Sequence, residues 1–352
     1  MHRRAFLDPR HLAESAGQLI GLVDVHVGLT APRSQEDDDI TLVRYARPAM
    51  GTVFEIVLPF GHPYATSLIH DALDEVDRYE QLLTVYRQTS EVSEVNRRAG
   101  QEAVSISTEL HNLIQQAEKL SRWTGGAFDI TAGTLIDAWG FVQGPKRVPP
   151  ESERQAALHQ SGFQHVELND DTIRFKAPGL RLNFGSIGKG FALDAVAHFF
   201  DQHARGQPVL LHGGKSSVLA MHSPPGHDRG WRIDIEHPWN HESHLASVYL
   251  RDQALATSAA TYKHLVHEGK KLGHILDPRT GWPASGIASA TAITETAAMA
   301  DALSTAFYVM GLEGTQQFCQ GHPEVSAILL PEGQQVAIVI NGNDSIVLAT
   351  GR

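Results

Sequence analysis

Residues 182–191 read Leu-Asn-Phe-Gly-Ser-Ile-Gly-Lys-Gly-Phe. The pattern predicts a short strand over residues 180–184, a loop with glycines and one lysine, and a helix over residues 191–202. Glycines let a backbone approach a phosphate closely, and the N–H groups at a helix N-terminus can bind an anion. The spacing matches neither a Walker A loop nor a dinucleotide-binding fingerprint, so a tight turn without a ligand is the alternative.

A second polar pattern lies in an otherwise apolar helix predicted over residues 296–310. Asp301 and Thr305 are four residues apart there, so they share one helix face. A carboxylate beside a hydroxyl offers the oxygen ligands that Mg²⁺ prefers, and the neighbouring alanines would let a diphosphate approach. The alternative is that Thr305 bonds to the Asp301 carbonyl while Asp301 is merely solvated.

A third pattern is a turn predicted around Pro278 and Gly281, after a short strand. His274 can transfer protons near neutral pH, and Arg279 can bind a phosphate through paired hydrogen bonds. Asp277 lies between these two residues. The alternative is a capped hairpin turn in which the aspartate has a structural role only.

Two glycine-containing segments are ambiguous. Residues 124–131 (Thr-Gly-Gly-Ala-Phe-Asp-Ile-Thr) could form one wall of a nucleotide pocket, or could only end a helix and start a strand. Residues 213–216 (Gly-Gly-Lys-Ser) resemble the end of a Walker A loop, but Val209 stands where its first glycine belongs. We therefore predict a turn between two strands at residues 213–216.

Histidine and cysteine residues give weak signals. His237, His241 and His244 could bind zinc if they lay on a helix, but Pro238 and a loop-like composition argue against a helix. Chance clustering is favoured, because the chain contains 20 histidines. The single cysteine, Cys319, excludes an internal disulfide and a cysteine-rich zinc site.

Composition limits the class of protein. The chain has 352 residues, of which 42% are hydrophobic and 20% are charged, as is usual for a globular protein. A net charge of -11 argues against broad nucleic-acid binding, although a small basic pocket for one dinucleotide remains compatible with it. Since no run of about 18 apolar residues exists, we expect no integral membrane segment.

The order of the elements predicts an α+β fold, because strands and helices follow each other without regular alternation. We predict helices at 64–83 and 109–124, and strands at 52–58, 166–168, 172–175, 209–212, 217–221, 231–236, 246–250, 327–330 and 335–340. Residues 1–40 are predicted to be a helical leader and an acidic linker. The catalytic domain is predicted over residues 41–352, with a possible lobe boundary near 143–155.

Taken together, these patterns resemble the FAD:protein FMN transferase (ApbE) family. The matching segments are residues 49–52, 83–87, 90–93, 96, 124–129, 185–194, 213–214, 274–283 and 300–306, in that order. The family likeness implies a T-fold-like architecture with mixed sheets and flanking helices. It also implies Mg²⁺-dependent transfer of FMN from FAD, the substrate, to a Ser or Thr hydroxyl of an acceptor flavoprotein, with release of AMP.

The resemblance also assigns roles to residues of this chain. Asp301 and Thr305 match the side-chain metal ligands, and Ser186 matches the position whose backbone carbonyl binds the metal. His274 and Asp301 are the implied catalytic residues. The positions implied to line the flavin nucleotide are Met50, Ala127, Phe128, Asp129, Asn183, Lys189 and Leu276. Asn183 departs from the family, in which an aspartate is common at this position.

Several functional alternatives share these residues. If water replaced the acceptor hydroxyl, the protein would be an FAD pyrophosphatase that releases FMN and AMP. A flavin-binding protein without catalytic activity is the other alternative. Either His274 or a metal-ligating carboxylate could take the hydroxyl proton. Residues 285–291 loosely resemble the acceptor motif of the family, but we favour a strand that leads to the metal-binding helix.

The N-terminus gives a weak indication of cellular location. Arg3 and Arg4 resemble the start of a twin-arginine export signal, but polar residues follow where an apolar core belongs. The lipid-attachment cysteine of many family members is also missing from this region. We therefore expect a soluble protein, with the cytoplasm as the favoured compartment.

Overall fold

The computed structural model describes residues 40–349, except residues 143, 261–263 and 268. The leader and the acidic linker therefore lie outside the described residues, apart from Ile40. The bounds of the catalytic domain and the lobe boundary near residues 143–155 stay predictions. In the described part of the chain, no helix is both long enough and apolar enough to cross a membrane.

Helices and strands follow each other irregularly along the chain. In chain order the elements are β1 (Leu42–Ala49), β2 (Thr52–Pro59), α1 (Thr66–Leu83), α2 (Glu91–Arg98), β3 (Val104–Ser105), α3 (Thr108–Trp123), α4 (Gly133–Ala138), α5 (Glu151–Gln160), β4 (Val166–Leu168), β5 (Thr172–Phe175), α6 (Gly188–His203), β6 (Val209–Gly213), β7 (Ser217–Met221), β8 (Trp231–His237), β9 (Asn240–Leu250), β10 (Gln253–Ala259), β11 (His264–His267), β12 (Lys270–Gly273), β13 (Leu276–Asp277), β14 (Trp282–Pro283), β15 (Ile287–Thr294), α7 (Ala297–Gly321), β16 (Ser326–Pro331), β17 (Ile338–Ile340) and β18 (Ile346–Leu348). Helix α7 is kinked at Gly311, where the backbone φ is 72°.

The centre of the protein is an eight-stranded sheet in the order β1, β2, β6, β7, β10, β15, β16 and β17. Helices α1, α6 and α7 pack on one face, and a smaller sheet of β18, β9 and β8 packs on the other. Successive side chains of a strand point to opposite faces, so Leu211 packs with the helices while Leu210 packs with the small sheet. The central strands are therefore buried on both faces.

The α+β class predicted from the sequence is confirmed, and the strands within each sheet pair antiparallel. The structure contains the predicted strands at 52–58, 166–168, 172–175, 209–212, 217–221, 231–236 and 327–330 and the predicted helices at 64–83 and 109–124, with small shifts of their ends. The helix predicted over 296–310 continues to Gly321, and the strand predicted over 246–250 begins at Asn240. The strand predicted over residues 335–340 is shorter, at Ile338–Ile340. Residues 213–216 form the predicted turn between β6 and β7.

The prediction of a strand over residues 180–184 is wrong. This segment forms only an isolated bridge between Arg181 and Ala132. The side chain of Asn96 takes the place of a neighbouring strand, because its Nδ2 donates to the Leu182 carbonyl at 2.9 Å and its Oδ1 accepts from the Leu182 N–H at 2.7 Å. Backbone groups satisfied in this way need no sheet partner.

The helix after the glycine loop begins earlier than predicted. Helix α6 starts at Gly188 rather than at Phe191, so Lys189 and Gly190 belong to its first turn. N–H groups in the first turn of a helix lack partners within the helix. The Gly190 N–H instead donates to Oδ2 of Asp301 at 2.8 Å. A carboxylate that is distant in sequence thus allows the helix to begin within the loop.

Two segments with a loop-like composition differ in their structure. Residues 240–245 belong to β9 and pair with β8, with register shifts between Ile235 and His237. Residues 124–131 form turns between α3 and α4 and contain no strand. Within the described residues, no group of three or more His, Cys, Asp or Glu side chains could hold a metal ion.

His212 on β6 is a buried histidine with an unusual environment. Its side chain is 2% exposed, and neither ring nitrogen has a hydrogen-bond partner among the described residues. Burial, and secondarily the positive charge of Arg44, lowers the pKa of His212 to about 3. Between about pH 6.5 and pH 3 the unfolded chain therefore binds a proton that the folded chain does not bind.

We expect His212 to lower the stability of the folded protein as the pH falls. The free energy of unfolding should fall by about 1.4 kcal/mol per pH unit on acidification through this window, and His212→Leu should remove that contribution. Asp194 has a raised pKa of about 7 and opposes this slope between about pH 3.8 and pH 7, so wild type and variant must be compared directly. Urea unfolding at several pH values measures the difference. Parallel pH curves for the two proteins would contradict the prediction.

Candidate functional site

The carboxylate of Asp301 lies where α6, α7 and β7 meet. It is only 4% exposed, so the solvated alternative is wrong. Its Oδ2 accepts from the Gly190 N–H at 2.8 Å and lies 3.5 Å from Nζ of Lys189. Its Oδ1 accepts from the Ser217 hydroxyl at 2.5 Å. Since a carboxylate offers about four lone-pair positions, acceptor capacity remains for a cation.

Helices α6 and α7 cross at unusually short range beside this carboxylate. A Cβ atom on Gly190 would lie 2.3 Å from the carbonyl oxygen of Ala297 and 2.5 Å from Cα of Ala298. Only glycine fits at this crossing, and the alanines at the start of α7 keep the approach open. The short distance brings the first turn of α6 within hydrogen-bonding reach of Asp301.

Asp194 fixes the start of α7 against α6. Its Oδ1 accepts from the Ala297 N–H at 2.7 Å, and its Oδ2 accepts from the Ala298 N–H at 2.9 Å. The carboxylate therefore caps two N–H groups that have no partner within α7. Burial, together with repulsion from Asp301, raises the pKa of Asp194 to about 7. Asp301 follows one helical turn after these capped residues.

Thr305 follows Asp301 by one turn of α7 and is half-buried. Its Oγ1 lies 3.3 Å from the hydroxyl of Ser258, which also lies 2.9 Å from the hydroxyl of Ser304. The Ser304 hydroxyl donates to the Asp301 carbonyl at 2.9 Å. The back-bond expected in the alternative for Thr305 is thus made by Ser304. Thr305 keeps its hydroxyl beside Ser258, near the site.

Ser186 lies in the turn directly before α6 and is half-buried. It precedes the N-cap residue Ile187, whose carbonyl accepts the first bond of the helix, from the Phe191 N–H at 3.1 Å. The Ser186 carbonyl therefore lies outside the hydrogen-bond pattern of α6. A backbone oxygen is therefore left for another ligand at the end of α6 where Asp301 is bound.

His274 is half-buried and lies between β12 and β13. A Cβ atom on the preceding Gly273 would lie 2.7 Å from Cβ of Ala260 and 4.0 Å from the hydroxyl of Tyr308. Ala260 follows β10, which carries Ser258, and Tyr308 comes three residues after Thr305 on α7. The loop with His274 thus lies beside the Thr305 end of the site.

The turn around Pro278 is confirmed as the hairpin of β13 and β14. Arg279 forms a two-point ion pair with Asp277, with Nε–Oδ1 and Nη2–Oδ2 distances of 2.8 and 2.9 Å. The pair raises the pKa of Arg279, and it commits the guanidinium to a carboxylate within the turn. A Cβ atom on Gly126 would lie 3.6 Å from Cγ of Arg279, so residues 124–131 and this hairpin are neighbours.

The residues predicted to line the nucleotide differ in exposure. The side chains of Ala127 and Phe128 are each 1% exposed and pack in the main core, so only their backbones could face a ligand. Leu276 is 7% exposed and packs in a separate cluster around Trp139. Asp129 accepts from the N–H and the hydroxyl of Thr131 at 2.8 and 2.6 Å, and burial raises its pKa.

Met50 and Asn183 occupy turns that neighbour the core. Met50 lies between β1 and β2 with a left-handed φ of 50°, which is strained for a residue with a side chain. The Oδ1 of Asn183 accepts from the Gly185 N–H at 2.8 Å and so shapes the start of the glycine loop. A cavity of about 260 Å³ adjoins this loop and is lined by Val85, Asn96, Gly133, Asp137, Val142, Arg181, Leu182 and Asn183.

The chain matches a known protein family over most of its length. The model of the ApbE family matches residues 50–329. The chain belongs to the ApbE family. This match covers both the glycine loop with Lys189 and the helix that carries Asp301 and Thr305.

Individual ApbE relatives agree in sequence and in fold. A FAD:protein FMN transferase of Vibrio cholerae is 28% identical over 277 residues, which cover 77% of this chain and 82% of the relative. The ApbE protein of Thermotoga maritima superposes with a TM-score of 0.78 at 28% identity, over 85% of this chain and 97% of its own. The flavinyl transferase ApbE of Pseudomonas stutzeri, in its apo form, gives 0.74 at 26% identity, over 85% and 94% of the two chains.

No role is predicted from the sequence for three residues of the candidate site: Asp194, Ser217 and Ser258. Ser217 contacts a carboxylate 84 positions later in the chain, so no local spacing could reveal the contact. Asp194 lies inside a segment that matches the family, but its capping role requires the helix crossing. Ser258 is one of several hydroxyl-bearing residues in β10 and β15.

The helix crossing predicts that alanine substitutions at two glycines of α6 differ sharply in their effect on protein stability. Gly190→Ala should destabilise the protein by about 1–3 kcal/mol, because its methyl group would collide with the backbone of α7. Gly188→Ala is the matched control, since a Cβ atom there would lie 3.4 Å from the nearest atom, in Leu83. Urea unfolding of both variants measures the effect. Equal stabilities would show that the crossing tolerates a side chain.

Proposed function

We propose that this protein transfers the FMN half of FAD to a Ser or Thr hydroxyl of an acceptor protein, with AMP as the leaving group. Membership of the ApbE family and the names of its relatives support the flavin transfer. One structural observation supports the proposed reaction most directly. A buried carboxylate, Asp301, lies beside Lys189 at the N-terminus of α6, where an anionic diphosphate would be bound.

The donors around Asp301 fit a magnesium ion. They are a carboxylate, the hydroxyl of Thr305 and the carbonyl of Ser186, which are all hard oxygen ligands. Mg²⁺ commonly binds one or two carboxylates and completes its shell with water and substrate phosphates. The single carboxylate of this site agrees with that pattern. A bound Mg²⁺ would neutralise the diphosphate and polarise its phosphorus–oxygen bonds.

Lys189 and the first turn of α6 are proposed to hold the diphosphate. The Lys189 side chain is 23% exposed, and its Nζ lies at a 3.5 Å ion-pair distance from Asp301. A solvent-accessible ammonium on a flexible stem can contact a phosphate when a cation neutralises Asp301. The positive end of the α6 dipole favours the same anion. Met50, Asn183 and the residues implied with them are proposed to line the rest of the nucleotide.

His274 is the proposed general base for the acceptor hydroxyl. Both oxygens of Asp301 already accept protein hydrogen bonds, from Gly190 and Ser217, and the carboxylate is also assigned to the metal. Histidine transfers protons near neutral pH, and the His274 loop lies beside the Thr305 end of the site. The proton would pass from the acceptor hydroxyl to the imidazole as the oxygen attacks the FMN phosphorus.

Self-flavinylation at residues 285–291 finds little support in the geometry. Ser289 and Thr291 are 2% and 1% exposed and lie in the interior of β15, which pairs with β10 and β16, so Ser285 is the one exposed hydroxyl residue of the segment. The interpretation of this segment as a strand that leads to α7 is confirmed. The acceptor is therefore proposed to be a separate protein.

Asp301→Asn tests the metal assignment. The amide keeps the shape of the side chain but removes its charge, so flavin transfer should fall by more than about 100-fold. The measurement is mass spectrometry of proteins coexpressed with the enzyme, in which an acceptor Ser or Thr gains the mass of an FMN group. Glu313→Gln, an exposed charge change on the same helix, is the control. Near-normal transfer by the Asp301 variant would refute the assignment.

The balance between transfer and hydrolysis is tested with the wild-type protein. We expect AMP release from FAD and Mg²⁺ to be slow without acceptor and to match the flavinylated protein mole for mole once acceptor is added. Chromatography of AMP and FMN, together with protein mass spectra, gives both quantities. Rapid formation of free FMN without acceptor would favour the pyrophosphatase, and AMP release under neither condition would favour a flavin-binding protein.

A further inference from the structure

Ser217 is a buried hydroxyl that the proposed mechanism leaves without a role. It is the first residue of β7 and is 0% exposed. Its backbone is paired on both sides in the central sheet, with Gly213 of β6 and with Ala256 of β10. The backbone position of Ser217 is therefore fixed by both neighbouring strands.

The Ser217 hydroxyl has one proton, and its surroundings commit that proton to Asp301. The Oγ–Oδ1 distance is 2.5 Å. The hydroxyl of Ser216 lies 3.3 Å from the same Oγ and can donate to it. The Ser216 backbone is in turn held by Thr257, whose N–H donates to the Ser216 carbonyl at 2.8 Å. A short chain of hydrogen bonds thus runs from Ser216 through Ser217 to Asp301.

The two oxygens of Asp301 are held from opposite sides. Oδ2 accepts from the first turn of α6, through the Gly190 N–H. Oδ1 accepts from the central sheet, through Ser217. Rotation about the Cβ–Cγ bond moves both oxygens, and because that terminal torsion is soft, hydrogen bonds to the oxygens are needed to restrain it. Two fixed oxygens define the plane of the group and therefore the directions of its remaining lone pairs.

We propose that Ser217 is a positioning residue for the metal site. By donating to Oδ1, it holds the Asp301 carboxylate in the orientation that presents its free lone pairs to a divalent cation beside Thr305. Residues that orient a metal ligand influence metal affinity although they do not touch the ion. The inference rests on the proposed function, because that function assigns Asp301 to the metal.

The test measures divalent-cation affinity directly. Free Mn²⁺ is followed by electron paramagnetic resonance in titrations of the purified protein, with and without saturating FAD. Ser217→Ala should weaken Mn²⁺ binding by about 10–100-fold. In FAD turnover assays, the Mg²⁺ concentration for half-maximal rate should rise by the same factor, whereas the rate at saturating Mg²⁺ should change much less. Ser217→Cys, with a weak thiol donor, should be intermediate.

Matched variants separate the possible results. Ser289→Ala removes another buried hydroxyl from the same sheet and should leave Mn²⁺ affinity unchanged. If Asp301→Asn loses Mn²⁺ while Ser217→Ala binds it like wild type, the positioning role is refuted and the proposed function stands. If Asp301→Asn also binds Mn²⁺ like wild type, the metal assignment itself fails. A lower melting temperature of Ser217→Ala with unchanged affinity would show a structural role only. If the alanine variant does not fold, the Mn²⁺ affinity of Ser217→Cys tests the positioning role instead.

Discussion

The close crossing of α6 and α7 is the constraint on which the site depends. Gly190 removes the side chain that would separate the helices, and its N–H then reaches the Asp301 carboxylate at 2.8 Å. Asp194, one turn further along α6, caps the start of α7 and fixes where that helix begins. These contacts set both the position of Asp301 and the early start of α6. This one helix crossing thus places a helix N-terminus and a carboxylate directly beside each other.

Charge compensation explains how such a site can exist in a folded protein. A carboxylate that is 4% exposed costs free energy unless charged or hydrogen-bonding groups replace its water. Gly190, Ser217 and Lys189 supply those groups, and Lys189 supplies the opposite charge. Lys189 is partly exposed, so under the proposed function it could contact a phosphate once a bound cation neutralised the carboxylate. The same groups therefore stabilise the buried carboxylate and, under the proposed function, would also bind the ligand.

The sequence could reveal those parts of the fold and the site that depend on local spacing. The pair of Asp301 and Thr305 follows from the helical period, and the helices and most strands follow from their apolar patterns. Contacts between distant segments escaped prediction. Residues 180–184 form no strand because the side chain of Asn96 binds the Leu182 backbone. Helix α6 begins at Gly188, earlier than predicted, because Asp301 accepts from the Gly190 N–H. The contact between Ser217 and Asp301 also stayed hidden, because a hydroxyl at the start of a strand gives no sign of a partner 84 residues away.

The register of the central sheet links the candidate site on one face to the apolar layer on the other face. Ser217 faces the helices, while the neighbouring Val218 packs against the small sheet and pairs with His212. A shift of one residue in β7 would exchange these faces, placing a valine under Asp301 and a hydroxyl among apolar side chains. Burial of the apolar layer therefore opposes any register that would misplace Ser217. Part of the free energy that stabilises the second face of the sheet thus maintains the geometry of the carboxylate on the first.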